Sequence, residues 1–147
     1  MNYFNLTMTH INVLLIEDDP FERRLIVKAL EPFAHVTGIA HPGAIDYVLS
    51  KDFELAIVDT HLGNGLFGPH YLPFIQNCLD IPVIGTCRDN NSAYHWEQEG
   101  ALFLPKTPIL LAAYGQNRQN KNQQNMAKCV QDIASAILTY HFRGSKT

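Results

Sequence analysis

The chain has 147 residues, 46% of them hydrophobic and 17% charged, which excludes a disordered chain and is enough to bury one core without disulfides. Three cysteines, Cys78, Cys87 and Cys129, show no CxxC spacing and no partner His at zinc-finger distance, so neither a disulfide framework nor a metal knuckle is expected and a reducing compartment fits. The net charge of −3 divides unevenly: residues 1–105 hold 5 Lys and Arg against 13 Asp and Glu, while residues 106–147 hold 6 against Asp132 alone, making the tail the stronger electrostatic contact surface.

MNYFNLTMTH, at the N-terminus, lacks a basic leader region, and no apolar run is long enough to span a bilayer. The expectation is a soluble, cytoplasmic protein with no membrane partner. INVLLI (11–16) is β-rich and apolar apart from Asn12, as a strand buried on both faces should be. Asp19 then caps a helix with Pro20 at its first position, and Phe21, Leu25, Ala29 and Phe33 recur at helical spacing. HVTGIA (35–40) reads as the second strand, Pro42 opens a helix carrying Ile45, Val48 and Leu49, and LAIVD (55–59) is the third strand.

GNGLFG (63–68) is a turn-rich loop, followed by a helix that starts at Pro69 or Pro73. IPVIG (81–85) is the fourth strand, AYHWEQE a short helix stopped by Gly100, and ALFL (101–104) the fifth strand. This alternation predicts one α/β domain, a doubly wound five-stranded parallel sheet over residues 10–142. Residues 107–123 are expected as a polar connection, about 124–142 as an amphipathic last helix, and 1–9 and 143–147 as tails. The last helix should lay its stripe of Met126, Val130, Ile133, Ala134 and Ile137 on the sheet, although the same stripe could pair two copies as a homodimer.

In an open parallel sheet, function collects beyond the carboxyl ends of the strands. The first strand delivers Glu17 and Asp18 there, the third Asp59, the fourth Thr86 and the fifth Lys106. Like charges about 4 Å apart repel by about 4 kcal/mol at an effective dielectric near 20, so these acids need a cation between them. A hard divalent ion such as Mg²⁺, held by one or two carboxylates with positions left for phosphate, meets that need, and Lys106 supplies a second positive charge suited to a phosphoryl oxygen. Asp59, at the end of an apolar strand, is placed to act as a nucleophile and form an acyl phosphate. Asp19 is better explained as a helix cap than as a ligand, and Phe103 also reads as plain core.

IEDDP, AIVDTHL, VIGT and FLPK together resemble the motifs of a two-component response-regulator receiver domain over about residues 10–106. The resemblance implies a flavodoxin-like strand order 2-1-3-4-5. It makes Asp59 the phosphoacceptor, Asp18 a direct Mg²⁺ ligand, Glu17 a ligand through water and His61 a ligand through its backbone carbonyl. Thr86 matches the switch hydroxyl, Phe103 the switch aromatic and Lys106 the phosphate-pairing lysine. A sensor histidine kinase or phosphotransfer protein would donate the phosphoryl group, and the domain would catalyse its own phosphorylation and dephosphorylation as a regulatory phosphoacceptor, not a metabolic enzyme.

Three departures from the family pattern stand out. Counting from Pro82 puts Cys87 at the switch position, whereas counting back from Gly100 puts Thr86 there. Gly63 stands where the family has proline, and Lys106-Thr107-Pro108 replaces its Lys-Pro dipeptide. With no output domain in the sequence, signalling would pass to a downstream protein target; the Gln/Asn run at 116–125 lacks interleaved aromatics, so no direct nucleic-acid contact is expected. The departures keep a second reading open, a receiver-like protein interaction module that does not switch.

Overall fold

The computed structural model describes residues 11–114 together with 132, 133 and 135. Among them, strands β1 (Ile11–Ile16), β2 (Ala34–Ile39), β3 (Leu55–Asp59), β4 (Val83–Cys87) and β5 (Leu102–Pro105) form one parallel sheet in the order β2-β1-β3-β4-β5. Helices α1 (Pro20–Leu30), α2 (Leu72–Leu79), α3 (Ala93–Gln98) and α4 (Lys106–Tyr114) lie between and after the strands, which is the doubly wound architecture the alternation predicts.

Side chains alternate across the sheet, and each face has its own core. Val13, Leu15, Ile57, Ile84 and Leu104 meet Ile26 and Leu30 of α1 and Ile109 and Ala113 of α4. Leu14, Ile16, Val58 and Val83 meet Ile45, Leu72, Ile75 and Trp96 on the other side. Each such Leu or Ile contributes about 1.5–3 kcal/mol by leaving water, which makes the sheet a rigid base for whatever its strand ends carry.

Helix α1 starts as expected. The Asp19 carboxylate accepts from the backbone N–H groups of Phe21 (2.8 Å) and Glu22 (3.0 Å), and Pro20 occupies the first turn. Three expectations need correction. The helix expected from Pro42 is a short 3-10 turn, Pro42–Tyr47, because Gly43 is a weak helix former and the His41 ring caps its N–H at 2.8 Å. The two prolines after the turn-rich loop divide its helix into a 3-10 turn, Gly68–Tyr71, and α2.

The third correction concerns the polar connection expected over 107–123: its first part is helix. Helix α4 runs from Lys106 through Tyr114, with Pro108 in the first turn, where a missing N–H costs nothing, and with ILLAA as strong helix formers behind it. Asp132, Ile133 and Ser135 are helical, and Ile133 is buried in the same cluster as Ile109. The rest of the expected last helix, its dimer stripe, both tails and the 116–125 run lie outside the described residues.

Candidate functional site

The parallel register brings the predicted side chains to one end of the sheet. Asp59 is the register partner of Thr86, and Thr86 of Leu104, so Glu17, Asp59, Thr86 and Lys106 continue the alternation begun by Leu15, Ile57, Ile84 and Leu104. Cys87 continues Gly85 instead, pairs with Pro105, and so falls on the face that carries Trp96. Glu17, Asp18 and Asp59 can offer oxygens that all lie within 4.8 Å of one another.

Lys106 stands at the centre. Its Nζ donates to Glu17 Oε2 at 2.7 Å, to Asp59 Oδ1 at 2.8 Å and to Glu22 Oε2 at 3.1 Å. The ammonium, Glu17, Asp59 and Glu22 are all buried. The described peptide bonds are all trans, and Lys106 reaches Asp59 despite the Thr beside it in the chain. Glu22 also pairs with the Arg88 guanidinium, and the Thr107 hydroxyl donates to the Arg88 carbonyl at 3.3 Å.

Burial, then the Asp59 charge, pushes the Glu17 carboxyl up to about 8, against the pull of Lys106. Burial also raises Asp59, with Lys106 and the Thr60 N–H working in the opposite direction. Burial alone would lower Lys106; its hydrogen bonds and charge attraction to Asp59 and Glu17 outweigh that and hold it above the ordinary lysine range. One ammonium thus partly neutralises a set of carboxylates that still favours a further cation.

Beside this cluster lies a neutral one. Thr60 N–H donates to the Asp59 carboxylate at 2.9 Å, the Thr60 hydroxyl donates to the Thr86 carbonyl at 2.8 Å, and Trp96 Nε1–H donates to that hydroxyl at 2.9 Å. Trp96 lies so close over Gly85 that a Cβ there would come within 2.1 Å of the indole ring. The Thr86 hydroxyl is fully buried and has no hydrogen-bond partner among the described residues. Buried hydroxyls are rarely left unpaired, so this one beside Asp59 stands out.

The loop after β3 forms a small hairpin. His61 and Phe67 pair as an antiparallel bridge, while Gly63, Asn64 and Gly65 turn the chain with positive φ. At Gly63, where the resemblance would put proline, φ is 77°, which strains any side chain, and a Cβ would sit 3.0 Å from Asp18 Oδ2. His61 is exposed, and Phe103 is half-buried against the Trp96 cluster.

Glu22, Arg88, Thr60 and Trp96 are the site residues that sequence reasoning missed. Trp96 reads in sequence as simple packing for a short helix. Glu22, three residues after the cap Asp19, reads in sequence as part of that cap and not as a partner of Lys106.

No family model and no curated protein matches the chain. Solved structures do. A response regulator from Burkholderia pseudomallei, solved with a phosphorylated aspartic acid, a calcium ion and citrate, is 19% identical, with 82% of this chain and 74% of that one covered and a TM-score of 0.59. The receiver domain of the TMAO respiratory response regulator TorR is 14% identical, with 86% and 98% covered and a TM-score of 0.60. The chemotaxis response regulator CheY4 of Vibrio cholerae is 15% identical, with 85% and 99% covered and a TM-score of 0.57. The chain has the fold of response-regulator receiver domains. Among the described residues no helix is long and apolar enough to cross a membrane.

Proposed function

We propose that this chain is a single-domain response regulator that accepts a phosphoryl group on Asp59 from a histidine kinase or phosphotransfer protein in the cytoplasm, and that signals by a conformational switch. The observation that carries this reading is a carboxylate at the end of β3 held 2.8 Å from Lys106 Nζ, beside a carboxylate pair that can seat a cation. In the transfer, an Asp59 oxygen forms a bond to phosphorus as the P–N bond to the donor histidine breaks and the imidazole leaves with a proton. Lys106 stabilises the negative charge on the transferring oxygens.

The donor set suits Mg²⁺, an oxygen-seeking ion. Asp18 and Asp59 would bind it directly, His61 through its carbonyl and Glu17 through water, and when bound it supplies charge neutralisation at the phosphoryl oxygens. The unpartnered Thr86 hydroxyl favours Thr86 over Cys87 as the switch residue, since a phosphoryl oxygen on Asp59 gives it an acceptor. Phe103 moves into the space Thr86 leaves, and the face of α3 and β5 changes its affinity for a downstream protein target. This is a shift between two packings, biased by one local charge.

Incubation with acetyl phosphate and Mg²⁺, followed by intact-mass measurement, tests the first step. A gain of one phosphoryl group, lost in Asp59→Asn, is expected; no gain, or a gain that survives the substitution, contradicts it. The rival module that does not switch is distinguished by titrating Mg²⁺ against tryptophan fluorescence, because Trp96 is bonded through Thr60 to the pocket. A silent pocket with intact partner binding favours the rival.

A further inference from the structure

The spacing Asp19-Pro20-Phe21-Glu22 is that of a capping box, in which the glutamate normally reaches back to the N–H of the cap residue. Here that N–H donates to Glu17 Oε1 at 3.2 Å instead. Glu22, released from the capping role, turns inward: it is 6% exposed, and its two oxygens bind Lys106 and Arg88. It is a fourth carboxylate in a pocket whose cation seat uses Glu17, Asp18 and Asp59.

An ammonium has three N–H donors. Those of Lys106 are taken by Glu17, Glu22 and Asp59, so a phosphoryl oxygen can bind the lysine only by displacing one of them. Asp59 is the acceptor itself, and Glu17 belongs to the cation seat. Glu22 is the partner with a second cation of its own, because Arg88, with a side chain 68% exposed, pairs with its other oxygen and keeps it neutralised after release.

We infer that Glu22 is a positioning residue that sets how readily Asp59 is phosphorylated, by occupying the Lys106 donor that the phosphoryl group needs, with Arg88 easing its release. The inference rests on the reading of Asp59 as phosphoacceptor. Glu22→Gln keeps the shape and removes the charge that holds Lys106 and repels an anionic donor. Arg88→Ala leaves Glu22 leaning wholly on Lys106.

The test measures phosphorylation by acetyl phosphate and Mg²⁺ at low and saturating donor for the wild-type chain, Glu22→Gln, Arg88→Ala and the double variant, with folding checked by Trp96 emission. Glu22→Gln should be phosphorylated about tenfold faster at saturating donor, and Arg88→Ala slower by a similar factor. The double variant should match Glu22→Gln, since Arg88 acts only through Glu22. If the wild type is phosphorylated but either single variant keeps its rate, or the two effects add in the double variant, the inference is overturned while the phosphoacceptor reading stands. If the wild type takes up no phosphoryl group, both fall. Should Glu22→Gln fail to fold, the surface substitution Arg88→Ala decides alone, with slowing for the inference and an unchanged rate against it.

Discussion

Two buried polar clusters sit side by side at the same end of the sheet, and they differ in charge and in what they connect. In the ionic one, Glu17, Glu22 and Asp59 surround Lys106. In the neutral one, Thr60 ties the Thr86 carbonyl to the Trp96 indole. Buried ion pairs recover little more than their desolvation cost, and well-packed apolar groups of the same volume often do as well or better. The neutral bonds instead link β3, β4 and α3 into one frame. On the proposed reading the ionic cluster carries the chemistry, and the threonine and tryptophan hold it in place.

Breaking the frame should have the largest effect. Gly85→Ala forces a Cβ to about 2.1 Å from the Trp96 ring, so a loss of about 3 kcal/mol or more is expected in urea denaturation; a loss below about 1 kcal/mol would contradict the close packing.

The ionic cluster should reveal itself through pH. The folded Glu17 carboxyl titrates at about 8, above its ordinary 4.5, so the stability it contributes is full below about 4.5 and is lost as pH rises through about 8. The wild type minus Glu17→Gln stability difference in metal-free buffer should therefore fall by about 2–4 kcal/mol between about pH 5 and about pH 9, the upper figure being the full linkage value. A difference that stays flat or rises across that range would remove the ionic side of the comparison.

The two threonines sharpen it further. Thr60→Val leaves the Trp96 N–H and the Thr86 carbonyl short of a partner and should cost about 1–2 kcal/mol. Thr86→Val deletes a hydroxyl that bonds nothing among the described residues and should change stability by less than about 0.5 kcal/mol, while abolishing the proposed switch. Equal costs in thermal unfolding at the two positions would erase the distinction between frame and pocket.

Much of the fold and of the site was legible in the sequence for physical reasons. β-branched, apolar runs such as INVLLI, interrupted only by Asn12, and LAIV read as central strands, and a parallel sheet must deliver the acids at their carboxyl ends, Glu17 and Asp18 or Asp59, to one rim. Lys106 was legible because it comes directly after the last strand. Glu22 was not, since a glutamate three residues after a cap ordinarily satisfies that cap, and only the fold shows that Glu17 has taken the N–H first. Trp96 was hidden likewise: its approach to Thr60 requires Gly85 directly beneath its ring, a pairing set by the sheet and not by sequence spacing. Helix α4 escaped because the strongly polar run after it masked the apolar stretch 109–113 that packs beside α1.

The central claim is that Asp59 becomes an acyl phosphate. Borohydride reduction of the protein treated with acetyl phosphate, followed by peptide mass mapping, tests this directly, because an acyl phosphate on aspartate is reduced to homoserine. The account predicts homoserine at position 59 and at no other position; an unreduced Asp59 in phosphorylated protein, or homoserine elsewhere, would contradict it.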